Sequence, residues 1–288
     1  MPLTPPVLLI SKDLSLAIAR QVDGLCSFDQ TEIDQTVRSS NEFQSICQTA
    51  TSILDQYEFV VVKNIGFNHN ARVFESFIKL FGRFYGSVEF GEIKLDCSHT
   101  ACELLNIQLH NDDAIGLNSQ PTKGFIQVIT EDPSLNTVNG VVRISDLVTY
   151  LECANLELLE ALYQQPIPML SYGVNYDQLV QNNEIFVSHP ILYKDQNQTK
   201  VRFDLERIQH YYYKKDLQQP LEEKRLIYKF LEVAKGFKYQ MHLQAGDILI
   251  HNNQTTLHDR GACSLELGLK GHLNSRQIYV SFAGKADG

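Results

Sequence analysis

The chain has 288 residues, of which 43% are apolar and 10% aromatic, with no Trp. That content excludes disorder throughout, and the length suits one large domain or two modest ones. Lys and Arg number 25 against 34 Asp and Glu, a formal charge of −9, which argues against a general basic face for nucleic acid.

The first forty residues mix short apolar and polar runs without a clear period. From Asn41 the pattern sharpens. Phe43, Ile46, Cys47, Ala50, Ile53, Leu54 and Tyr57 follow the three-four spacing of an amphipathic helix, with Asn41 as its N-cap. Phe59 to Ile65, β-branched and nearly all apolar, predicts a buried strand ending at Gly66. Val73, Phe74, Phe77, Ile78 and Phe81 form the stripe of a second helix, with Gly82 as its stop. Phe125 to Thr130 reads as a strand, and Ser145 to about Gln164 as a helix by its Leu spacing. Ile185 to Tyr193 and Lys200 to Leu205 read as strands around a polar turn at Asp195–Gln198. Pro220 opens another helix, with Ile227, Phe230, Leu231 and Ala234 on its stripe and Gly236 as its stop. Tyr239 to Leu243, Ile248 to His251 and Arg276 to Ala283 are extended. No Pro-, Gly- or Ser-rich linker divides the chain, so one α+β domain over residues 1–288 is expected.

Six cysteines are scattered, Cys26, Cys47, Cys97, Cys102, Cys153 and Cys263, and none forms a Cys-x-x-Cys pair. Neither a zinc ribbon nor a redox motif is written here. Val7-Leu8-Leu9-Ile10 is too short for a signal-peptide core, and no apolar run approaches membrane-spanning length. A reduced, cytoplasmic protein is expected, with no nucleic-acid or membrane partner; a homo-oligomer is compatible with the sequence.

The chemistry-bearing pattern is His110, Asp112 and His258. In an extended segment, positions i and i+2 project to one face, so Gln108-Leu109-His110-Asn111-Asp112 sets an imidazole beside a carboxylate. Two histidines and one carboxylate leave three positions of an octahedral metal open, which suits a non-haem Fe(II) oxygenase taking a keto acid and then O2. His-x-Asp alone also reads as a polar surface loop, because Asn111-Asp112-Asp113 precedes Gly116. The distal half adds weight. Gly246-Asp247-Ile248-Leu249-Ile250 is a turn and buried strand, followed by Asn252, Asn253, His258 and Arg260. Arg276 then begins a strand, where a guanidinium can hold the far carboxylate of 2-oxoglutarate by a two-point fork that Lys does not match.

From about Phe43 to Ala283 the sequence resembles the Fe(II)/2-oxoglutarate-dependent dioxygenases of the taurine dioxygenase and clavaminate synthase type. Phe59-Val60-Val61-Val62-Lys63-Asn64 is similar to the strand that opens that family's core, and Phe81-Gly82-Arg83-Phe84 to the end of its next helix. Leu109-His110-Asn111-Asp112 matches the first two metal ligands, and Leu257-His258-Asp259-Arg260 the third ligand and the Arg after it. Order and spacing also resemble carbapenem synthase. The resemblance implies a double-stranded β-helix (jelly-roll) core with flanking and inserted helices, iron at His110, Asp112 and His258, and 2-oxoglutarate at Arg276 with Thr137 and Arg260. It implies hydroxylation, desaturation or ring closure at an unactivated C–H bond of a small polar metabolite, with release of succinate and CO2. An amino acid or derivative in specialised metabolism is the first expectation for the substrate. Three positions depart from the family's pattern. Val280 stands where many members carry a second Arg, Gly140 stands where many carry a Thr, and Asn252-Asn253 replaces Asp-Asn.

Other residues compete for roles. His251 sits in the same segment as His258 and reads as a packing residue or an outer neighbour of the metal. His189, before Pro190, reads as structural, and His242 and His272 have no partner pattern. Asp113 alternates away from His110, so Asp112 is the expected ligand, and a carboxylate there argues against a halogenase. Val201-Arg202-Phe203-Asp204 resembles a segment near the substrate in amino-acid hydroxylases of the clavaminate synthase type. Arg202 and Asp204 would hold a zwitterion, or else form a surface ion pair. Tyr211-Tyr212-Tyr213 reads equally as a substrate mouth or as helix packing. The altered Arg and Thr positions keep a second class open: a catalytically silent metal-binding β-helix acting as a sensor or partner-binding module.

Overall fold

A computed structural model of the chain describes residues 3–25, 28–93, 104–114, 121–172, 184–268, 271 and 273–284. The first strand, β1 (Val7–Leu9), is followed by helices α1 (Lys12–Gly24), α2 (Gln30–Ser39) and α3 (Asn41–Tyr57). Strand β2 (Phe59–Lys63), helix α4 (Ala71–Ile78) and strands β3 (Arg83–Glu92), β4 (Ile107–His110), β5 (Lys123–Thr130) and β6 (Asn139–Arg143) come next. Two helices, α5 (Ile144–Ala154) and α6 (Leu156–Gln164), lead into β7 (Ile167–Tyr172), β8 (Glu184–His189), β9 (Leu192–Asp195) and β10 (Gln198–Val201). Helices α7 (Leu205–Lys214) and α8 (Leu221–Gly236) precede β11 (Lys238–Met241), β12 (Ile248–Asn252), β13 (Thr256–Arg260), β14 (Leu265–Leu267), β15 (Leu273–Ser275) and β16 (Gln277–Gly284).

Capping chemistry explains where several expected elements shift. Ser40, not Asn41, caps α3, its hydroxyl accepting from the Phe43 N–H. Asp29 and Glu32 close a reciprocal capping box on α2. Helices α1 and α2 left no clear period because each buries only two side chains, Ile18 and Val22 in one and Ile33 and Val37 in the other. The helix expected over Ser145–Gln164 is two helices, broken at Asn155, whose side chain accepts from the Leu158 N–H and starts α6. The strand expected over Lys200–Leu205 ends at Val201, and Asp204 caps α7 instead. Gly82 lies past the end of α4, where a Cβ would come within 2.5 Å of the Gly284 carbonyl oxygen.

Ten strands form two sheets. The larger has the order β1-β2-β12-β5-β16-β3, and the smaller β11-β6-β13-β4. Only the β1–β2 pair of the larger sheet is parallel. Strand alternation sorts the side chains. Phe59, Val61, Ile126, Val128, Val141, Leu249 and Ile278 fill the space between the sheets. Val60, Val62, Phe125, Ile248 and Ile250 face the other way and pack on helices α1–α4. Leu109, Val142 and Leu257, on the outer face of the smaller sheet, pack against α5–α8. Full burial of one such side chain stabilises by roughly 1.5–3 kcal/mol, so these cores lock the strand register that positions the site. Among the described residues, no helix is long and apolar enough to cross a membrane.

Candidate active site

His110 ends β4, His258 sits within β13, and the two are direct partners in the antiparallel ladder. Their ring centroids are 4.3 Å apart. The chain then leaves the sheet, and two asparagines hold it. Asn111 is buried; its N–H donates to the Phe203 carbonyl at 3.0 Å and its Oδ1 accepts from the Phe203 N–H at 2.8 Å. Asn253 accepts the Asp112 N–H at 2.8 Å and returns a bond to the Asp112 carbonyl, also at 2.8 Å.

So held, the Asp112 carboxylate lies 3.7 Å from His110 Nε2 and 3.6 Å from His258 Nε2. One donor atom from each of the three residues lies within 4.8 Å of the others. Two imidazoles and one carboxylate so gathered could hold one metal ion. His110 Nδ1 lies 2.8 Å from the Gln108 carbonyl, which takes its N–H and leaves Nε2 as the metal-facing nitrogen. The three expected ligands therefore come together, and Asp113 does not join them. Asp113 adopts φ +49°, and burial raises its carboxyl to about 6 against the pull of Arg207.

The charges at the cluster are interdependent. Burial disfavours the His110 imidazolium, but Asp112 outweighs it, and the pKa rises to about 9. Burial likewise opposes the Asp112 charge, yet His258 and His110 hold the carboxyl well below its usual range. Burial pushes His251 down to about 4 and His258 well below its ordinary value.

A second polar group borders this one. Arg260 follows His258 by two residues on β13 and pairs in register with Asn139 of β6. Arg276 immediately precedes β16. Both guanidiniums are buried, with 4% and 3% of the residue exposed. Arg276 Nη2 donates to Asn139 Oδ1 at 3.0 Å. Arg260 Nη1 donates to the Gly261 carbonyl and to Cys263 Sγ, each at 2.9 Å. Cys263 is also within hydrogen-bonding reach of Arg276, and the Thr137 hydroxyl lies 3.5 Å from its sulfur. Burial pushes Arg276 down to about 10; Cys263 opposes this fall and Arg260 adds to it. Arg276 thus stays charged at neutral pH. Asp132, an acid that Arg276 senses, has its carboxylate bonded to Ser134 and Ser264. Two buried cations near each other suit a carboxylate ligand.

Thr137, Arg260 and Arg276 are therefore neighbours, joined by Asn139 and Cys263, which sequence reasoning missed. Gly140 is a correction: it does not face the arginines. A Cβ there would meet Asp259 Oδ1 at 2.3 Å and Lys238 Cδ at 2.4 Å, beneath the ion pair those two residues make. Val280 packs against the core between the sheets.

Arg202 and Asp204 do not pair. Asp204 accepts the Arg207 N–H at 3.1 Å and the Arg207 Nε–H at 2.8 Å, so its carboxylate is committed to capping α7. Its backbone bridges His110, which keeps it beside the centre. Arg202 is 2% exposed and lies over the Tyr193 ring at 5.1 Å, with Asp113 the acid that influences it. Tyr211 and Tyr212 pack on each other, Tyr211 also meets Phe186, Tyr212 donates to Glu223 at 2.6 Å, and Tyr213 is exposed. His189 is half-buried beside Arg202, and His242 is exposed. His272, Cys26, Cys97, Cys102 and Gly116 lie outside the described residues.

A family model described as "Taurine catabolism dioxygenase TauD, TfdA family" matches residues 34–264. No curated protein matches the sequence. Among solved structures, an asparagine oxygenase in complex with Fe(II), 2S,3S-3-hydroxyasparagine and succinate superposes with a TM-score of 0.72 at 12% identity, covering 97% of this chain and 94% of that one. The non-heme iron oxygenase OrfP, in complex with Fe and alpha-ketoglutaric acid, gives 0.67 at 12% identity, covering 98% and 94%. OrfP with Fe and L-homoarginine gives 0.65 at 13% identity, covering 96% and 93%. At such identities these similarities speak to the fold, a double-stranded β-helix.

Proposed function

Because the chain belongs to the TauD/TfdA family of dioxygenases, we propose that it is an Fe(II)- and 2-oxoglutarate-dependent oxygenase acting on an amino acid or amino-acid derivative. It hydroxylates an unactivated C–H bond, or desaturates or cyclises there, and releases succinate and CO2. The observation that carries this reading is the His110–Asp112–His258 cluster with two buried arginines beside it.

His110, Asp112 and His258 would hold the iron, and iron bound there supplies the one-electron chemistry that O2 activation requires. The chain's own residues do the rest. The Gln108 carbonyl fixes the tautomer of His110, and Asn253 fixes the backbone of Asp112. Arg276 receives the far carboxylate of 2-oxoglutarate by its fork, with Arg260 adding charge and Thr137 a hydroxyl. Asn139 holds the Arg276 guanidinium in place. Arg202 receives a substrate carboxylate, and Asp204 shapes the adjoining wall through its bridge to His110. The amino-acid class is supported by Arg202 and by the asparagine-derived and arginine-like ligands named for the similar structures. We read residues 1–288 as one cytoplasmic catalytic domain.

The test is succinate formation with Fe(II), 2-oxoglutarate and O2 over a panel of amino acids and derivatives, with product mass read alongside. A substrate-dependent rise in succinate with a matching gain of one oxygen, or loss of two hydrogens, is expected. No succinate above the Asp112→Ala background with any substrate would favour the silent, ligand-sensing reading instead.

A further inference from the structure

The turn after β13 is held at four successive residues, 261–264. The Gly261 N–H donates to the Val138 carbonyl at 2.7 Å, and the Ala262 carbonyl accepts the Thr137 hydroxyl at 3.1 Å. The Cys263 N–H donates to the Leu104 carbonyl at 2.9 Å. The Ser264 N–H and hydroxyl both donate to Asp132 Oδ1, at 2.6 and 2.9 Å. Connections between strands are as a rule the mobile parts of a fold. This one is fixed residue by residue.

What the clamps place is one sulfur. Cys263 Sγ lies 2.9 Å from Arg260 Nη1 and 3.5 Å from the Thr137 hydroxyl, and it is within hydrogen-bonding reach of Arg276. Asn139 serves Arg276 and the Gly261 carbonyl serves Arg260, whereas the sulfur serves both. The two arginines are buried, so little water screens their repulsion. Arg260 disfavours charge on Arg276, and Cys263 favours it. A thiol sulfur is a weak acceptor, but a charged donor strengthens the bond.

We propose that Cys263 is a positioning residue for the cosubstrate: its sulfur is the common acceptor that keeps Arg260 and Arg276 together, so that a dicarboxylate meets a preformed two-cation receptor. A receptor arranged before binding spares the ligand the cost of ordering it. The clamps on residues 261–264 set the sulfur between the two side chains. The inference rests on the reading of Arg276 as the anchor of 2-oxoglutarate.

Two measurements on Fe(II)-loaded protein, kept anaerobic, test it. The first is alkylation by iodoacetamide, read peptide by peptide. Cys263 is half-buried and Cys153 is exposed, so Cys153 serves as the internal control. Saturating 2-oxoglutarate is expected to slow labelling of Cys263 several-fold and to leave Cys153 unchanged. Labelling of Cys263 at the same rate with 2-oxoglutarate bound would overturn the proposal. The second is calorimetric titration of 2-oxoglutarate. Cys263→Ala is expected to weaken binding about tenfold, and Cys263→Ser, whose shorter side chain still offers an acceptor, to recover part of the loss. Fe(II) affinity, measured on the same samples, should stay at the wild-type value. Equal 2-oxoglutarate affinity in wild type and Cys263→Ala would overturn the proposal. So would a Cys263→Ser variant no better than Ala, or an equal fall in Fe(II) affinity, which would mark general loosening. If the wild-type protein does not bind 2-oxoglutarate, the reading of Arg276 falls and this inference falls with it. Wild-type binding that Cys263→Ala leaves intact removes the inference alone.

Discussion

Asn253 grips the backbone of Asp112 from both sides, accepting its N–H and donating to its carbonyl, each at 2.8 Å. The same amide reaches the Pro121 carbonyl at 3.2 Å. Asp112 lies beyond the end of β4, so no ladder hydrogen bond fixes it. A side chain arriving from the β12–β13 turn does that instead, tying the near ligand segment to the one that carries His258.

Asn253→Ala is therefore expected to act on the metal rather than on the fold alone. Removing a buried amide with three backbone partners costs about 1–3 kcal/mol of stability. Fe(II) affinity should fall about tenfold or more as Asp112 loses its backbone support. Metal titration and thermal melting on the same sample check this; a lowered Tm with wild-type affinity would contradict it.

The two sides of β6 should separate cleanly. Asn139→Ala removes the partner of Arg276 and is expected to raise the KM for 2-oxoglutarate several-fold. Gly140→Ala places a methyl against Asp259 and Lys238 on the other side, costing about 1–3 kcal/mol of stability. Its KM for 2-oxoglutarate should stay near wild type. A raised KM in Gly140→Ala, with Asn139→Ala unaffected, would reverse this assignment.

Arg276→Lys keeps the charge but loses the fork. Truncating one member of a buried charge pair costs about 2–5 kcal/mol. Arg276→Ala should thus weaken 2-oxoglutarate binding by more than tenfold, and Arg276→Lys should recover only part of the loss. Titration of 2-oxoglutarate into the Fe(II)-loaded protein reads both.

Metal binding should be coupled to pH through His110, whose pKa in the metal-free protein is raised to about 9. The proton must leave for Nε2 to bind, so near pH 7.5 each ion should displace about one proton. Apparent Fe(II) affinity should climb with pH up to about 9, by about tenfold per unit where one proton is exchanged. The His110–Asp112 pairing also stabilises the metal-free fold. That contribution is complete below the unfolded value of about 6.5 and is lost as pH rises through about 9. Titrations in buffers of different ionisation heat count the protons, and a flat affinity profile would contradict the coupling.

The ligand triad was legible because its three side chains are chemically specific and two of them lie two residues apart. The buried strands at Phe59 and Ile248 were legible from apolar β-branched runs. Asn139 and Cys263 were not, because they reach the arginines through strand register and a turn, relations that local spacing does not carry. Gly140 aligns in sequence with a cosubstrate-binding position, but strand register places it over Asp259. A two-residue period carried past Val201 would set Asp204 beside Arg202, but a helix cap intervenes there. Asn155 hid a helix break in the same way, since its cap outweighs an otherwise continuous Leu spacing.

On the proposed function, His110, Asp112 and His258 hold iron within reach of 2-oxoglutarate anchored at Arg276. Anaerobic addition of Fe(II) and 2-oxoglutarate, followed by visible absorption, tests it most directly. A weak charge-transfer band is expected in the wild-type protein, absent in His110→Ala and shifted to higher 2-oxoglutarate concentration in Arg276→Ala. No band in the wild-type protein, or an undiminished band in His110→Ala, would contradict it.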